Sequence, residues 1–248
     1  MARELRRLLI EPGRLAERLA LTAEESRYLT RALRYGVGDR FAITDGAGRL
    51  WSAVLLDPGT AELQQPPGCP LEAVSPPSPC LGLALAVPRL DGDVVIRMAC
   101  ELGVDRLQPL LAARGSTGAE RRPGRWPAIL REASEQCERL WLPELAEAVE
   151  AASWLARPVM GLALIASTRQ QDLPLLSAVL ASRSAGPPLE AVALAIGPEG
   201  GWTPEEEGLA RETGWQAVSL GPRILRCSTA AVAGISLISH WRSGRNGC

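Results

Sequence analysis

Several residue types are absent or rare in this sequence of 248 residues, and their absence excludes several kinds of site. The chain has no lysine, so all 27 basic residues are arginines, and it has one histidine, His240. Its six cysteines form no C-x-x-C pair, so a zinc site is not expected. A Ser-His-Asp triad is also disfavoured, because no acidic residue follows His240. We therefore expect no bound metal and no nucleophilic triad.

Long apolar runs are missing as well. No apolar signal region stands at the N-terminus, and the apolar stretch at 230–238 is much shorter than the ~18 residues of a membrane helix. Hydrophobic residues make up 46% of the chain and charged residues 22%, which is enough for one large domain or two smaller ones. The sequence predicts a cytoplasmic protein with reduced thiols and no membrane partner.

Charge is balanced over the chain but uneven along it. The formal net charge is −1, yet residues 1–40 hold nine arginines and six acidic residues. Residues 214–248 hold four arginines and no acidic residue. Local basic surface can bind RNA even when the whole protein is nearly neutral. Ordinary solvated charge remains an alternative, mainly for the first segment.

A proline-rich stretch predicts the domain boundary. Residues 64–79 contain six prolines, so this stretch cannot form a helix and is typical of a linker. We place a first domain at 1–75 and a second at 76–248. In the first domain, a helix is expected over 22–35, with Thr22 and Glu25 forming a capping box, and a hairpin is expected at Asp45-Gly46. Together they suggest a small β-barrel.

The second part alternates between strand and helix patterns. Strands are predicted at 81–87, 106–111, 159–166, 192–196 and 217–220, and helices at 93–102, 127–139, 148–156, 174–182, 204–213 and 228–241. This alternation predicts an α/β fold with a mainly parallel sheet, whose ligand lies beyond the carboxyl ends of the strands. Three loops are candidates for that position: 167–171, 197–203 and 221–227.

The loop G-P-E-G-G at 197–201 is the first candidate ligand site. It is not a G-x-G-x-x-G motif and no Walker lysine follows, which disfavours nucleotide phosphate and a nicotinamide-dependent oxidoreductase. Thr203, Pro204 and Glu206 predict a well-capped helix, and the neighbouring carboxylates would repel a polyphosphate. The loop therefore suits a neutral or cationic ligand such as S-adenosylmethionine. A tight turn before a capped helix, with no ligand, remains the alternative.

A second turn, S-L-G-P-R-I-L-R at 219–226, carries two arginines and no acidic residue. Arg223 and Arg226 follow a predicted strand directly. They are either surface arginines at a strand end or contacts to a phosphate and a flipped-out base. Cys227 comes next and is expected to be a small core thiol.

Five segments together resemble a known family. They are R-Y-L-T-R-A-L-R-Y-G-V-G-D-R-F-A-I-T-D-G-A-G at 27–48, A-C-E-L-G-V-D-R-L-Q-P-L at 99–110 with Arg114, S-E-Q-C-E-R at 134–139 with Pro143, A-I-G-P-E-G-G-W-T-P-E-E at 195–206, and S-L-G-P-R-I-L-R at 219–226. In this order and spacing, over nearly the whole chain, they are similar to the RsmE family of 16S rRNA uridine-N3 methyltransferases, which belong to the SPOUT class.

The resemblance implies a fold, an activity and an assembly. It implies an N-terminal PUA-like β-barrel that binds rRNA and a SPOUT-type C-terminal trefoil-knot domain, with the knot in roughly 159–242. It also implies a homodimer that uses S-adenosylmethionine to methylate uracil N3 in 16S rRNA of the small ribosomal subunit.

The resemblance and the chemistry of methyl transfer together lead us to expect roles for individual residues. Arg226 is expected to be catalytic, by stabilising charge on the uracil. The residues expected to contact RNA are Arg31, Arg34, Arg114 and Arg223. The residues expected to bind the cofactor are Ile165, Ile196, Gly197, Pro198, Glu199, Gly200, Gly201, Leu220, Gly221, Ile224, Leu225 and Thr229.

Three positions differ from the family's usual pattern. Residues 227–230 read C-S-T-A where the family usually has T-E-T-A, so Ser228 replaces a glutamate. Residues 165–168 read I-A-S-T where a His-Pro or Pro-Glu-Ala turn is common, and Asp91 lies near the position of a usual lysine. These differences leave two alternatives open: a weak or inactive relative that binds S-adenosylmethionine and RNA, or a SPOUT methyltransferase with another RNA target.

Overall fold

Contacts between residues divide the chain into two units. The structure is a computed structural model that describes residues 5–245 except 89, 116–122, 159, 169, 171 and 185. One unit comprises Met1–Pro76 and Arg131–Leu142, and the other comprises Pro77–Leu130 and Pro143–Cys248. A domain boundary at 75/76 was expected to place 131–142 in the second domain, whereas these residues group with the first unit.

The first unit is built on a six-stranded sheet. Its strands are β1 (Arg7–Leu9), β2 (Arg18–Ala20), β3 (Arg40–Thr44), β4 (Arg49–Asp57), β5 (Thr60–Leu63) and β6 (Glu72–Ala73). They lie in the order β1-β3-β4-β5-β2, with β6 paired to β4, and all neighbours are antiparallel except β1 and β3. The hairpin expected at Asp45-Gly46 is present between β3 and β4, with Gly46 at φ 68°.

A short α-helix lies between β2 and β3. Helix α1 (Ala23–Arg27) begins with the predicted capping box, in which Thr22 accepts from the Glu25 amide and Glu25 accepts from the Thr22 amide. A π-helical turn continues the chain over Tyr28–Ala32. The helix predicted to reach residue 35 ends earlier, since Arg34 takes a left-handed conformation at φ 57°.

A buried carboxylate joins the separate segments of the first unit. Glu25 is 6% exposed and accepts from both terminal nitrogens of Arg14, at 2.7 and 2.8 Å. Arg131 also contacts Glu25, at 3.2 Å. Glu135, one helical turn further on, accepts from the Leu9 amide at 2.8 Å. These contacts explain why 131–142 groups with the first unit.

The apolar core of the first unit consists of Leu8, Ile10, Leu19, Leu29, Tyr35, Phe41, Ile43, Trp51, Ala53, Leu55, Ala61 and Leu63.

The second unit is built on a parallel sheet, as the alternating pattern predicted. Its strands are β7 (Cys80–Ala86), β8 (Arg106–Leu111), β9 (Glu144–Leu145), β10 (Val149–Glu150), β11 (Leu162–Ala166), β12 (Ala191–Ile196) and β13 (Gln216–Val218). They lie in the order β10-β8-β7-β12-β11-β13, with β9 paired to β8, and all these pairs are parallel. The α/β class is therefore confirmed. The trefoil knot stays a prediction.

Six further α-helices follow α1 in the described part of the chain, and five of them form two groups of contacts. They are α2 (Gly92–Glu101), α3 (Trp126–Gln136), α4 (Ala151–Leu155), α5 (Leu176–Arg183), α6 (Pro204–Glu212) and α7 (Cys227–Arg245). Helix α7 contacts α2, α5, β7 and β12, whereas α4 contacts α6 and β8. Gly234 lets α7 approach the sheet, because a Cβ there would overlap the side chain of Leu194 in β12.

No helix in the described part of the chain combines the length and the apolar character needed to cross a membrane. Within the same residues, no three His, Cys, Asp or Glu side chains are placed to hold a metal ion.

Candidate cofactor site

Strand register brings three loops to one edge of the parallel sheet. Ala166, the last residue of β11, pairs with Ile196 in β12 and with Val218 in β13. Three neighbouring strands thus end side by side, and the loops that follow them open at the same edge. This is the position at which ligands bind in open parallel sheets. Residues 169 and 171 of the predicted 167–171 loop lie outside the described residues.

A tryptophan packs against bare backbone in the glycine-rich loop. A Cβ on Gly197 would lie 2.9 Å from Cε2 of Trp202, so only glycine allows the indole to pack this closely. The Trp202 Nε1 donates to the Ala166 carbonyl at 3.0 Å, which ties the loop to the end of β11. Gly201 has a left-handed φ of 73° that favours glycine. The loop therefore has a fixed shape and leaves backbone groups accessible.

The residues after β8 hold the same loop from another side. Arg114 Nη1 donates to the carbonyls of Trp202 at 3.0 Å and Gly200 at 3.4 Å, and a Cβ on Gly200 would lie 2.9 Å from the Arg114 Cβ. The neighbouring Ala113 amide donates to Glu206 at 3.0 Å. Glu206 also completes the predicted capping box of α6 with Thr203. The side chains of Arg114 and Glu206 thus connect the segment after β8 to the glycine-rich loop.

These loops enclose a cavity of about 350 Å³. Of the residues predicted to bind cofactor, those that line it are Ile196, Gly197, Pro198, Glu199, Gly201, Leu220, Gly221, Ile224 and Leu225. Two arginines predicted to bind RNA, Arg114 and Arg223, line it as well. The two motifs that were separate in sequence therefore contribute to one site.

Other predicted site residues do not line the cavity. Ile165 is buried in β11, one residue before the lining residue Ala166, and Thr229 is exposed in the first turn of α7. Arg226 is exposed just before α7, and its carbonyl accepts from the Ala230 amide. Arg31 and Arg34 are exposed in the first unit. Gly200 contacts Arg114 as described above.

Sequence reasoning missed part of the lining. The additional residues are Ala166, Ser167, Thr168, Trp202, Pro204, Glu207, Cys227 and Ala230. A signal existed for most of them, since they flank the predicted motifs directly. The inward position of Glu207 had no such signal, because the helix pattern alone does not say which carboxylate of E-E-E meets the cavity.

The cavity lining includes two carboxylates and a thiol. Glu199 and Glu207 both line it. Ser167 donates to Glu207 Oε1 at 2.8 Å. Burial raises the pKa of the Cys227 thiol to about 12, and Glu199 acts in the same direction. Cys227 donates to the Ala86 carbonyl at 3.3 Å. It is therefore a neutral core thiol at physiological pH, as the sequence suggested, and not a nucleophile.

Two family models match this chain. The model described as "RNA methyltransferase domain" matches residues 76–239, and "RNA methyltransferase PUA domain" matches residues 21–64. The chain thus belongs to the RNA methyltransferases that carry a PUA domain.

Individual relatives show which family of RNA methyltransferases the chain resembles. Ribosomal RNA small subunit methyltransferase E of Synechocystis sp. is 40% identical over 94% of this chain and 77% of its own length. The Neisseria gonorrhoeae protein of the same name, solved with S-adenosylmethionine, has a TM-score of 0.75 and 28% identity, over 96% of this chain and 98% of that chain. A Legionella pneumophila chain in complex with the same cofactor has a TM-score of 0.78 and 27% identity, over 96% and 98%. The chain belongs to the ribosomal RNA small subunit methyltransferase E family.

Proposed function

We propose that this protein transfers a methyl group from S-adenosylmethionine to N3 of a uridine in 16S rRNA of the small ribosomal subunit. The observation that carries the proposal is the cavity at the aligned ends of β11, β12 and β13, formed by the two motifs that resemble the family's cofactor loops. The shared family name supports the ribosomal RNA substrate. The resemblance to uridine-N3 methyltransferases supports the target atom.

The cavity residues fit this cofactor. A volume of about 350 Å³ is in the range of small-molecule sites. The accessible backbone of the glycine-rich loop suits hydrogen bonds to an adenine, while the α6 capping box occupies the amides that a phosphate would need. Carboxylates beside the cavity are compatible with a cation. We assign binding to the lining residues, together with Ile165, Gly200 and Thr229.

Positioning accounts for most of the proposed catalysis. The cofactor supplies an electrophilic methyl group on a sulfonium. The loops hold that group in line with the attacking nitrogen, and uracil N3 attacks best as the anion. We assign Arg226 to stabilise the negative charge that develops on a uracil carbonyl. Attack on a sulfonium methyl group requires no metal.

Arginines on both units would bind the RNA. We assign Arg31 and Arg34 in the first unit, and Arg114 and Arg223 beside the cavity, to RNA contacts. Arg114 has a second role in this proposal, because its Nη1 already holds the glycine-rich loop. Since N3 lies on the Watson–Crick edge, the target uridine must be unpaired or flipped out when it reaches the site.

The family resemblance also supports a homodimer, and the ribosomal substrate supports a cytoplasmic location. Light scattering of the purified protein tests the assembly, with twice the mass of 26.5 kDa expected.

Methyl transfer to isolated ribosomal subunits tests the function. Purified protein and labelled S-adenosylmethionine are added to small subunits from a strain that lacks the activity, with large subunits as the control. Label in 16S rRNA alone supports the proposal. Cofactor binding without transfer would instead identify an inactive relative, and Ser228→Glu is then the variant to test. Label in another RNA would identify a different target.

A further inference from the structure

Ser167 and Glu207 form a polar pair in the wall of the cavity. Ser167 follows β11, is 7% exposed, and donates from Oγ to Glu207 Oε1 at 2.8 Å. Both residues line the cavity. The hydrogen bond restricts the rotamers of the glutamate, so its carboxylate has a defined position in the cavity wall.

The adjacent residues Glu206 and Glu207 of α6 make different contacts. Glu206 is 2% exposed and accepts from the amides of Thr203 and Ala113, so its role is structural. Glu207 accepts one side-chain hydrogen bond, from Ser167, and makes no ion pair with any residue that the structure describes. Arg114 and Arg223 also line the cavity, but neither is within ion-pair distance of Glu207, so the Glu207 carboxylate remains available to a ligand there.

We propose that Glu207, held in place by Ser167, is a specificity-determining residue that favours the cationic sulfonium cofactor over its neutral thioether product. This inference rests on the proposed function. Transfer of the methyl group removes the positive charge from the sulfur, while the rest of the ligand is unchanged. A nearby carboxylate attracts the first ligand and loses that attraction to the second. Glu207 would thus both favour cofactor binding and help the product to leave.

The charge effect can be separated from other contacts to the ligand. A hydrogen bond that Glu207 accepts from a ribose hydroxyl or from the amino group would favour S-adenosylmethionine and S-adenosylhomocysteine equally, because both ligands carry these groups. Only an interaction with the sulfonium distinguishes them. The ratio of the two affinities is therefore the informative quantity.

Calorimetric titration of each ligand into wild type and Glu207→Gln tests the inference. Glutamine keeps the size of the side chain and an oxygen that accepts from Ser167, but it lacks the charge. We expect Glu207→Gln to weaken S-adenosylmethionine binding about fivefold and S-adenosylhomocysteine binding less than about twofold. Ser167→Ala shifts the ratio in the same direction by a smaller factor. Glu212→Gln, which removes one charge at the exposed end of the same helix, leaves the ratio unchanged.

Equal weakening of both ligands, or no change in either, would overturn the inference and leave the proposed function intact. If the wild-type protein binds neither ligand, the proposed function fails and the inference falls with it.

Discussion

Arg114 donates a hydrogen bond from Nη1 to the carbonyl oxygen of Trp202 at 3.0 Å, although the two residues are 88 positions apart in the chain. The same nitrogen reaches the Gly200 carbonyl at 3.4 Å. An arginine that was expected to contact RNA thus also determines the conformation of the glycine-rich loop. Its two roles can be separated by measuring cofactor binding in the absence of RNA.

We expect Arg114→Ala to weaken cofactor binding without RNA by about tenfold, because a charge-assisted hydrogen bond to the loop is lost. Calorimetry with S-adenosylmethionine measures the change. Arg211→Ala is the control, since Arg211 is exposed on α6 and does not line the cavity. Unchanged cofactor affinity in Arg114→Ala would leave this residue with an RNA role alone.

Arg226→Ala is expected to separate catalysis from cofactor binding. The side chain is exposed and does not line the cavity, so we expect cofactor affinity to stay within about twofold of wild type. Methyl transfer should fall by about 100-fold or more, as when a group that stabilises transition-state charge is removed. Single-turnover assays on small subunits measure the rate. Transfer near the wild-type rate would rule out the catalytic role of Arg226.

Gly234→Ala tests how closely α7 must approach the sheet. The added Cβ would overlap Leu194, which is fully buried, so we expect a loss of about 1–3 kcal/mol in the free energy of unfolding. Gly244→Ala in the same helix is the matched control, because a Cβ there meets open space and alanine favours helix. Urea unfolding followed by circular dichroism compares the two variants. Equal free energies of unfolding for Gly234→Ala and Gly244→Ala would show that α7 can shift to accommodate a Cβ at position 234.

The ionised Glu25 carboxylate is expected to stabilise the first unit in a pH-dependent way. Burial by itself raises the pKa of Glu25, but hydrogen bonds from Arg14 and Thr22 outweigh it, so the pKa is lowered. A lowered folded-state pKa contributes stability above the unfolded-state value, and this stability is lost as pH falls through the folded-state value. Glu25→Gln should therefore cost about 2 kcal/mol at pH 7 and less in acid.

Urea unfolding of wild type and Glu25→Gln at several pH values from neutral to acidic measures the difference in their free energies of unfolding. Glu24→Gln, an exposed neighbour on the same helix, should differ from wild type by no more than about 0.5 kcal/mol. If the difference in free energy of unfolding between wild type and Glu25→Gln stays constant with pH, the ionised carboxylate is not the cause of that difference.

Local signals in the sequence predicted local structure well. Both capping boxes, at Thr22 and at Thr203, are present, and the alternating pattern predicted the parallel sheet. These features depend on residues within a few positions of each other. The three-residue strands β1 and β2 were missed, because so short a strand has too few residues to show a period.

Tertiary contacts account for what could not be predicted. The grouping of 131–142 with the first unit depends on Arg131 and Glu135 meeting residues more than 100 positions away. Two hydrogen bonds likewise connect distant segments. One runs from Arg114 to the Trp202 carbonyl, and the other from Ser167 to Glu207. The common sheet edge of the three loops was predicted from the alternating pattern. Periodicity in one sequence carries no information about individual side-chain pairs, so the contacts between the loops were not predicted.

The most direct test of the central claim is the identity and position of the methylated nucleoside. Small subunits methylated by the purified protein are digested and analysed by mass spectrometry, and the 16S rRNA is mapped by reverse-transcription stops. We predict N3-methyluridine and a single new stop at a uridine near the 3′ end, because N3 methylation blocks base pairing. Methylation on another atom, or at another position, would contradict the proposed function.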